Sequence, residues 1–105
     1  MLTHVYAVTG PPLNVQATQA SASAPVEVSW SPPSGGVATI TGYRIFYDGN
    51  RENISVPSTV TGIKLTLNGN YVGQTVSIQS EAAQLSSELT TVTIMRKTIL
   101  EDLVY

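Results

Sequence analysis

Apolar and polar residues alternate with a period of two along most of this chain. The strictest case is Val26-Glu27-Val28-Ser29-Trp30, where Val26, Val28 and Trp30 share one face and Glu27 and Ser29 the other. Tyr43-Arg44-Ile45-Phe46-Tyr47 repeats the pattern, with Tyr43, Ile45 and Tyr47 inward and Arg44 and Phe46 outward. Leu13, Val15 and Ala17 alternate with Asn14 and Gln16, and Ile63, Leu65 and Leu67 with Lys64 and Thr66. Val76 and Ile78 face inward in a strand from Thr75 to Ser80, as do Val92 and Ile94 in a last strand from Leu89 to Ile94. Serine and threonine fill the exposed positions, where they suit strands better than helices.

The breaks between these stretches carry turn chemistry. Gly10-Pro11-Pro12 is a stiff boundary, because two prolines fix φ and remove two donors. Ala20 to Pro25, Ser31 to Gly36, Asn68-Gly69-Asn70 and Ala82 to Ser87 read as loops. Asp48-Gly49 has the composition of a tight type I′ hairpin, with a return strand from Asn50 to Ser55 closed by Val56-Pro57. The glycines at 42, 49, 62, 69 and 73 read as turn and corner residues. Seven short strands with a turn about every 8–12 residues predict an all-β, two-sheet antiparallel sandwich. The connections are too short for crossover helices, and no repeat of about 20–50 residues is present.

Length and composition narrow the picture. The 105 residues suffice for one domain, and 42% hydrophobic with 11% charged residues is incompatible with disorder. The net charge of −2 gives no basic footprint for nucleic acid or anionic lipid. Without cysteine there is no disulfide framework, thiolate zinc site or cysteine nucleophile. No apolar run approaches the roughly 20 residues of a membrane span, and Met1-Leu2-Thr3-His4 does not open a signal peptide. The single histidine, His4, precedes the domain, and the acidic residues are scattered apart from Glu101-Asp102. Neither a metal set nor a base-activated hydroxyl emerges, so no enzyme activity, metal or cofactor is expected.

Three segments together resemble the fibronectin type III domain family over about Pro11 to Ile94. Pro12-Leu13-Asn14-Val15 is similar to that family's first strand, Val28-Ser29-Trp30-Ser31-Pro32-Pro33 to the second and its exit, and Ile40-Thr41-Gly42-Tyr43-Arg44-Ile45-Phe46-Tyr47 to the third. The resemblance implies a seven-stranded immunoglobulin-like sandwich, three strands in one sheet and four in the other, with Trp30 between them. It weakens at Leu67 to Thr75, where the turn lacks proline and Gln74 occupies the position at which the family carries its corner tyrosine. Arg-Gly-Asp is absent.

The expected organisation is a lead-in or linker at 1–10, the domain at 11–94, and a tail or interdomain connector at 95–105. Thr98-Ile99-Leu100-Glu101 fits a capping box, with Ile99 and Leu103, and Leu100 and Val104, at helical spacing. The expected role is a noncatalytic protein-protein interaction and spacer module in a larger protein, extracellular or cell-surface by the family's commoner setting. An accessory domain of a multidomain enzyme and a cytoplasmic scaffold are the alternatives. Expected partners are another protein and neighbouring domains, with no nucleic acid and no membrane insertion. The candidate interaction residues are Arg44 and Phe46, outward on one strand, and Arg51 across the hairpin. Asn53-Ile54-Ser55 is an N-glycosylation acceptor sequence on the return strand.

Overall fold

The structure is a computed structural model that describes residues 10–34, 40–83 and 86–97. His4, the pair Gly35-Gly36 and the expected capping box at 98–101 lie outside them. The strands are β1 (Leu13–Gln19), β2 (Val26–Ser31), β3 (Gly42–Tyr47), β4 (Glu52–Pro57), β5 (Gly62–Leu65), β6 (Thr75–Glu81), β7 (Thr90–Thr93) and β8 (Met95–Arg96). They form two four-stranded sheets, ordered β5-β2-β1-β8 and β4-β3-β6-β7.

The core lies between the sheets and follows the alternation. Val26, Val28, Trp30, Ala17 and Leu65 are buried from one sheet, and Tyr43, Ile45, Val76 and Ile78 from the other. Trp30 and Tyr43 meet across the gap with ring centroids 5.3 Å apart and planes tilted by 59°, a favourable aromatic arrangement. Tyr43 is 1% exposed. Burial pushes its phenol above the ordinary value, while the Trp30 indole acts in the opposite sense, although its N–H makes no hydrogen bond of acceptable geometry among the described residues. A raised folded-state value means that this group's contribution is fully present below about pH 10 and is lost as the pH rises further. The urea midpoint should therefore decline above about pH 10, less steeply in Tyr43→Phe. Equal slopes in the two proteins would refute this assignment.

The expected seven strands become eight among the described residues because the last one changes sheets. Ile94 is buried, donates its N–H to the Gln74 carbonyl and accepts from Gly73 N–H. Before it, β7 pairs with β6; after it, β8 pairs in parallel with β1, Thr18 opposite Met95 and Gln19 opposite Arg96. Each sheet thus has four strands, and one parallel pair joins the otherwise antiparallel set. Met95 and Arg96, expected in the tail, belong to the sandwich.

Other expectations need correction in detail. Leu13 does not share the core face with Ala17 and is 39% exposed. Asn14 has φ +54°, and β1 places two residues, Asn14 and Val15, between Leu13 and Gln16 where β2 places only Trp30, so a bulge turns Leu13 outward. The β3–β4 return strand begins at Glu52, not at Asn50 or Arg51. The turn is centred one residue later than expected: Arg51 N–H bonds the Asp48 carbonyl, with Gly49 and Asn50 between them at φ +64° and +66°. Positive φ at both central residues is the type I′ combination. A Gly49→Val change places a β-branched residue there and should cost about 1–3 kcal/mol, read as a lower urea midpoint. Unchanged stability would remove the strain argument. Gly42 and Gly62 open β3 and β5 rather than forming turns.

The corner between β5 and β6 is held by a residue that sequence reasoning passed over. Gln19, fully buried at the end of β1, donates from Nε2 to the carbonyls of Ala24 (3.1 Å) and Gly69 (2.9 Å). Its Oε1 accepts the Tyr71 N–H at 2.8 Å. Gln74 is exposed, and Tyr71 is half-buried against the core. The glutamine thus fastens the corner that a tyrosine secures in the resembled pattern.

Candidate interaction face

The outward surface of β4-β3-β6-β7 carries two of the three candidate residues side by side. Arg44 lies between Ser55 on β4 and Gln79 on β6, and Phe46 between Asn53 and Ser77. The Arg44 guanidinium donates from Nε to Glu81 Oε2 at 2.8 Å and from a terminal nitrogen to Asn53 Oδ1 at 2.6 Å. Gln79 Nε2 donates to the same Glu81 oxygen at 3.3 Å. Three strands therefore fix one arginine. With Arg44 37% and Glu81 23% exposed at the side chain, solvent screening holds the pair to about 1 kcal/mol or less. Its main effect is to orient the guanidinium.

Phe46 is half-buried on this surface. Beside it Ser77 is only 3% exposed, although it faces outward, and shares a 2.7 Å hydrogen bond with Thr91. Arg51 stands apart: its guanidinium turns back on the hairpin, 3.6 Å from the Asp48 carboxylate and 3.3 Å from the Asp48 carbonyl, and remains 79% exposed. The geometry joins Arg44 with Phe46 and leaves Arg51 at the hairpin end.

Glu81 and Asn53 are the anchors that the sequence reading did not connect with Arg44. Continuing the alternation through Ser77 and Gln79 places Glu81 outward at the end of β6. Asn53 is exposed on the edge strand β4, directly across from Phe46. Asn53 is also the acceptor position of the Asn53-Ile54-Ser55 sequence, and its amide oxygen is held by Arg44.

Among the described residues no three His, Cys, Asp or Glu side chains converge as a metal would require. The family profile for the fibronectin type III domain matches residues 10–96. This chain belongs to that family. Fibronectin type III domains are noncatalytic.

The fold is similar to that of the fibronectin type III domain of human collagen alpha-1(XX) chain, at 19% identity and a TM-score of 0.63, covering 92% of this chain and 95% of that one. It is also similar to chicken CNTN1 FN1-FN3 domains, at 20% identity and a TM-score of 0.65, covering 87% of this chain and 33% of that one. A crystal structure of domains from titin matches at 18% identity and a TM-score of 0.53, covering 82% of this chain and 32% of that one. This chain thus spans about a third of the length of the latter two chains. No curated protein sequence matches this chain.

Proposed function

We propose that this fibronectin type III domain is a protein-protein interaction and spacer module of a larger multidomain protein, at the cell surface or outside the cell, with Arg44 and Phe46 at its contact face. The observation that carries the reading is the pinned Arg44 beside a half-exposed aromatic. An arginine already oriented by Glu81 and Asn53 loses little side-chain freedom on docking, and Phe46 supplies apolar area next to it. Arg51, exposed at the hairpin end, lies at the rim of such a contact. The multidomain structures similar to this chain support the spacer component.

The test is a binding screen of the domain against a panel of purified extracellular domains, followed by the Arg44→Ser, Phe46→Ser double variant. A partner at this face should be lost by about tenfold or more in affinity while a cooperative thermal transition shows the fold retained. Unchanged affinity for a true partner removes this face, and a screen without partners removes the interaction role.

A further inference from the structure

The opposite face of the sandwich gathers charges that are far apart in the sequence. Lys64 on β5 lies across from Glu27 on β2, which lies across from Thr18 on β1, and Thr18 pairs with Met95 on β8. The switch of the last strand onto β1 then delivers the two residues that follow Met95. Lys97 is fixed by its N–H to the Gln19 carbonyl, and its ammonium sits 3.3 and 3.4 Å from the two Glu27 oxygens. Arg96 reaches Asn70 Oδ1 at 3.3 Å. Gly62 and the small Ser29, paired with each other, leave the surface low between them. The result is an open depression of about 750 Å³ bordered by Lys64, Arg96 and Lys97, with Glu27 as its one carboxylate.

The balance of charge there is opposite to that of the whole chain. The chain carries −2 in all, with five cations, and three of the five border this depression. Three cations against Glu27 leave +2 at the site. The Lys97–Glu27 pair is itself partly exposed, and Lys64 has no ion-pair partner among the described residues.

We propose that this depression docks an extended acidic segment of a partner protein, presenting one carboxylate to Lys64 and a second to Arg96 and Lys97. The excess of two charges matches two carboxylates. It is too small for a polyanion, whose binding grows with the number of charges neutralised. Lys64 on β5 and the Arg96–Lys97 pair at β8 lie at opposite borders of the four-stranded sheet, a span that an extended segment bridges with two well-separated side chains. The site is separate from the Arg44–Phe46 face and stands whether or not that face binds anything.

The probe is a fluorescein-labelled octapeptide of alternating glutamate and threonine, titrated with the full 105-residue chain and followed by anisotropy. Its glutamine-for-glutamate counterpart and a sulfated heparin oligosaccharide serve as comparison ligands. The glutamate peptide should bind, weaken roughly fivefold in Lys64→Gln, and weaken further as salt is raised from about 50 to about 300 mM. Lys64 is exposed and outside the core, so its variant keeps the fold, which the Trp30 fluorescence spectrum checks. Arg96→Gln should give a second loss of similar size. Absence of binding, equal binding of the glutamine peptide, or no effect of Lys64→Gln overturns the proposal. Binding of the oligosaccharide roughly tenfold tighter than the peptide also overturns it, in favour of a polyanion.

Discussion

Replacing Trp30 with alanine should lower stability by about 3–5 kcal/mol, the usual range for emptying a large aromatic site in a close-packed core. Trp30 is 4% exposed, stacks obliquely on Tyr43 and sits in the same sheet face as Val26 and Val28. A small domain has only about 5–15 kcal/mol in total, so the loss brings it close to unfolding. The thermal midpoint should fall by on the order of 20 °C. Trp30→Phe provides the informative contrast. The indole N–H is buried without a hydrogen-bond partner among the described residues, and phenylalanine removes that uncompensated donor along with some volume. Its loss should be less than half that of alanine. Equal losses would mean that ring area contributes little and that the site collapses around any smaller side chain.

The second large effect is expected at a residue with no side chain. Gly42 is buried at the start of β3, opposite Pro57 of β4, and a Cβ added there would run into the Val56 carbonyl. The obstacle is backbone in a paired strand, so relief requires β4 to move. Gly42→Ala should cost about 3 kcal/mol, at the upper end for overpacking. Hydrogen exchange gives the sharper reading. Amides of β4 should lose protection while those of β1 and β2, in the other sheet, keep theirs relative to the global value. A Gly42→Ala protein with an unchanged midpoint would show that the strands separate there freely.

The parts of the fold that were legible in the sequence are those where period-two alternation runs unbroken. Val26 to Trp30 and Tyr43 to Tyr47 are regular strands with every side chain on its expected face, except that Tyr47 is only half-buried. Alternation misleads where the backbone inserts a residue, as at Asn14, since a bulge shifts the face of everything before it and leaves the composition unchanged. It is also silent on which sheet a strand joins. Nothing local distinguishes Thr93 from Met95, yet the buried Ile94 between them moves the chain from β6 to β1. Gln19 escaped notice because a polar residue at an inward position reads as a strand end. Its three partners come from residues up to 52 positions away.

The candidate face was legible to the same extent. Arg44 and Phe46 follow from alternation alone, whereas the anchoring of Arg44 by Glu81 depends on the β3–β6 register. Arg51 was placed by counting across a two-residue hairpin. The actual loop spans Asp48 to Arg51, and the arginine folds back onto it.

The parallel pairing of β1 with β8 also decides how the domain bears tension. The first and last strands of the sandwich run side by side in the same direction, joined at Thr18–Met95 and Gln19–Arg96 and by the Lys97 N–H to Gln19. Pulling the two ends of the chain apart slides these strands past one another, so the bonds are stressed in shear and must give way together. The β3–β4 hairpin, pulled at its open end, would instead peel one bond at a time. Gln19 belongs to both systems, since its backbone holds Lys97 while its side chain grips Gly69 and Tyr71. Gln19 therefore ties the two terminal strands to the corner between β5 and β6.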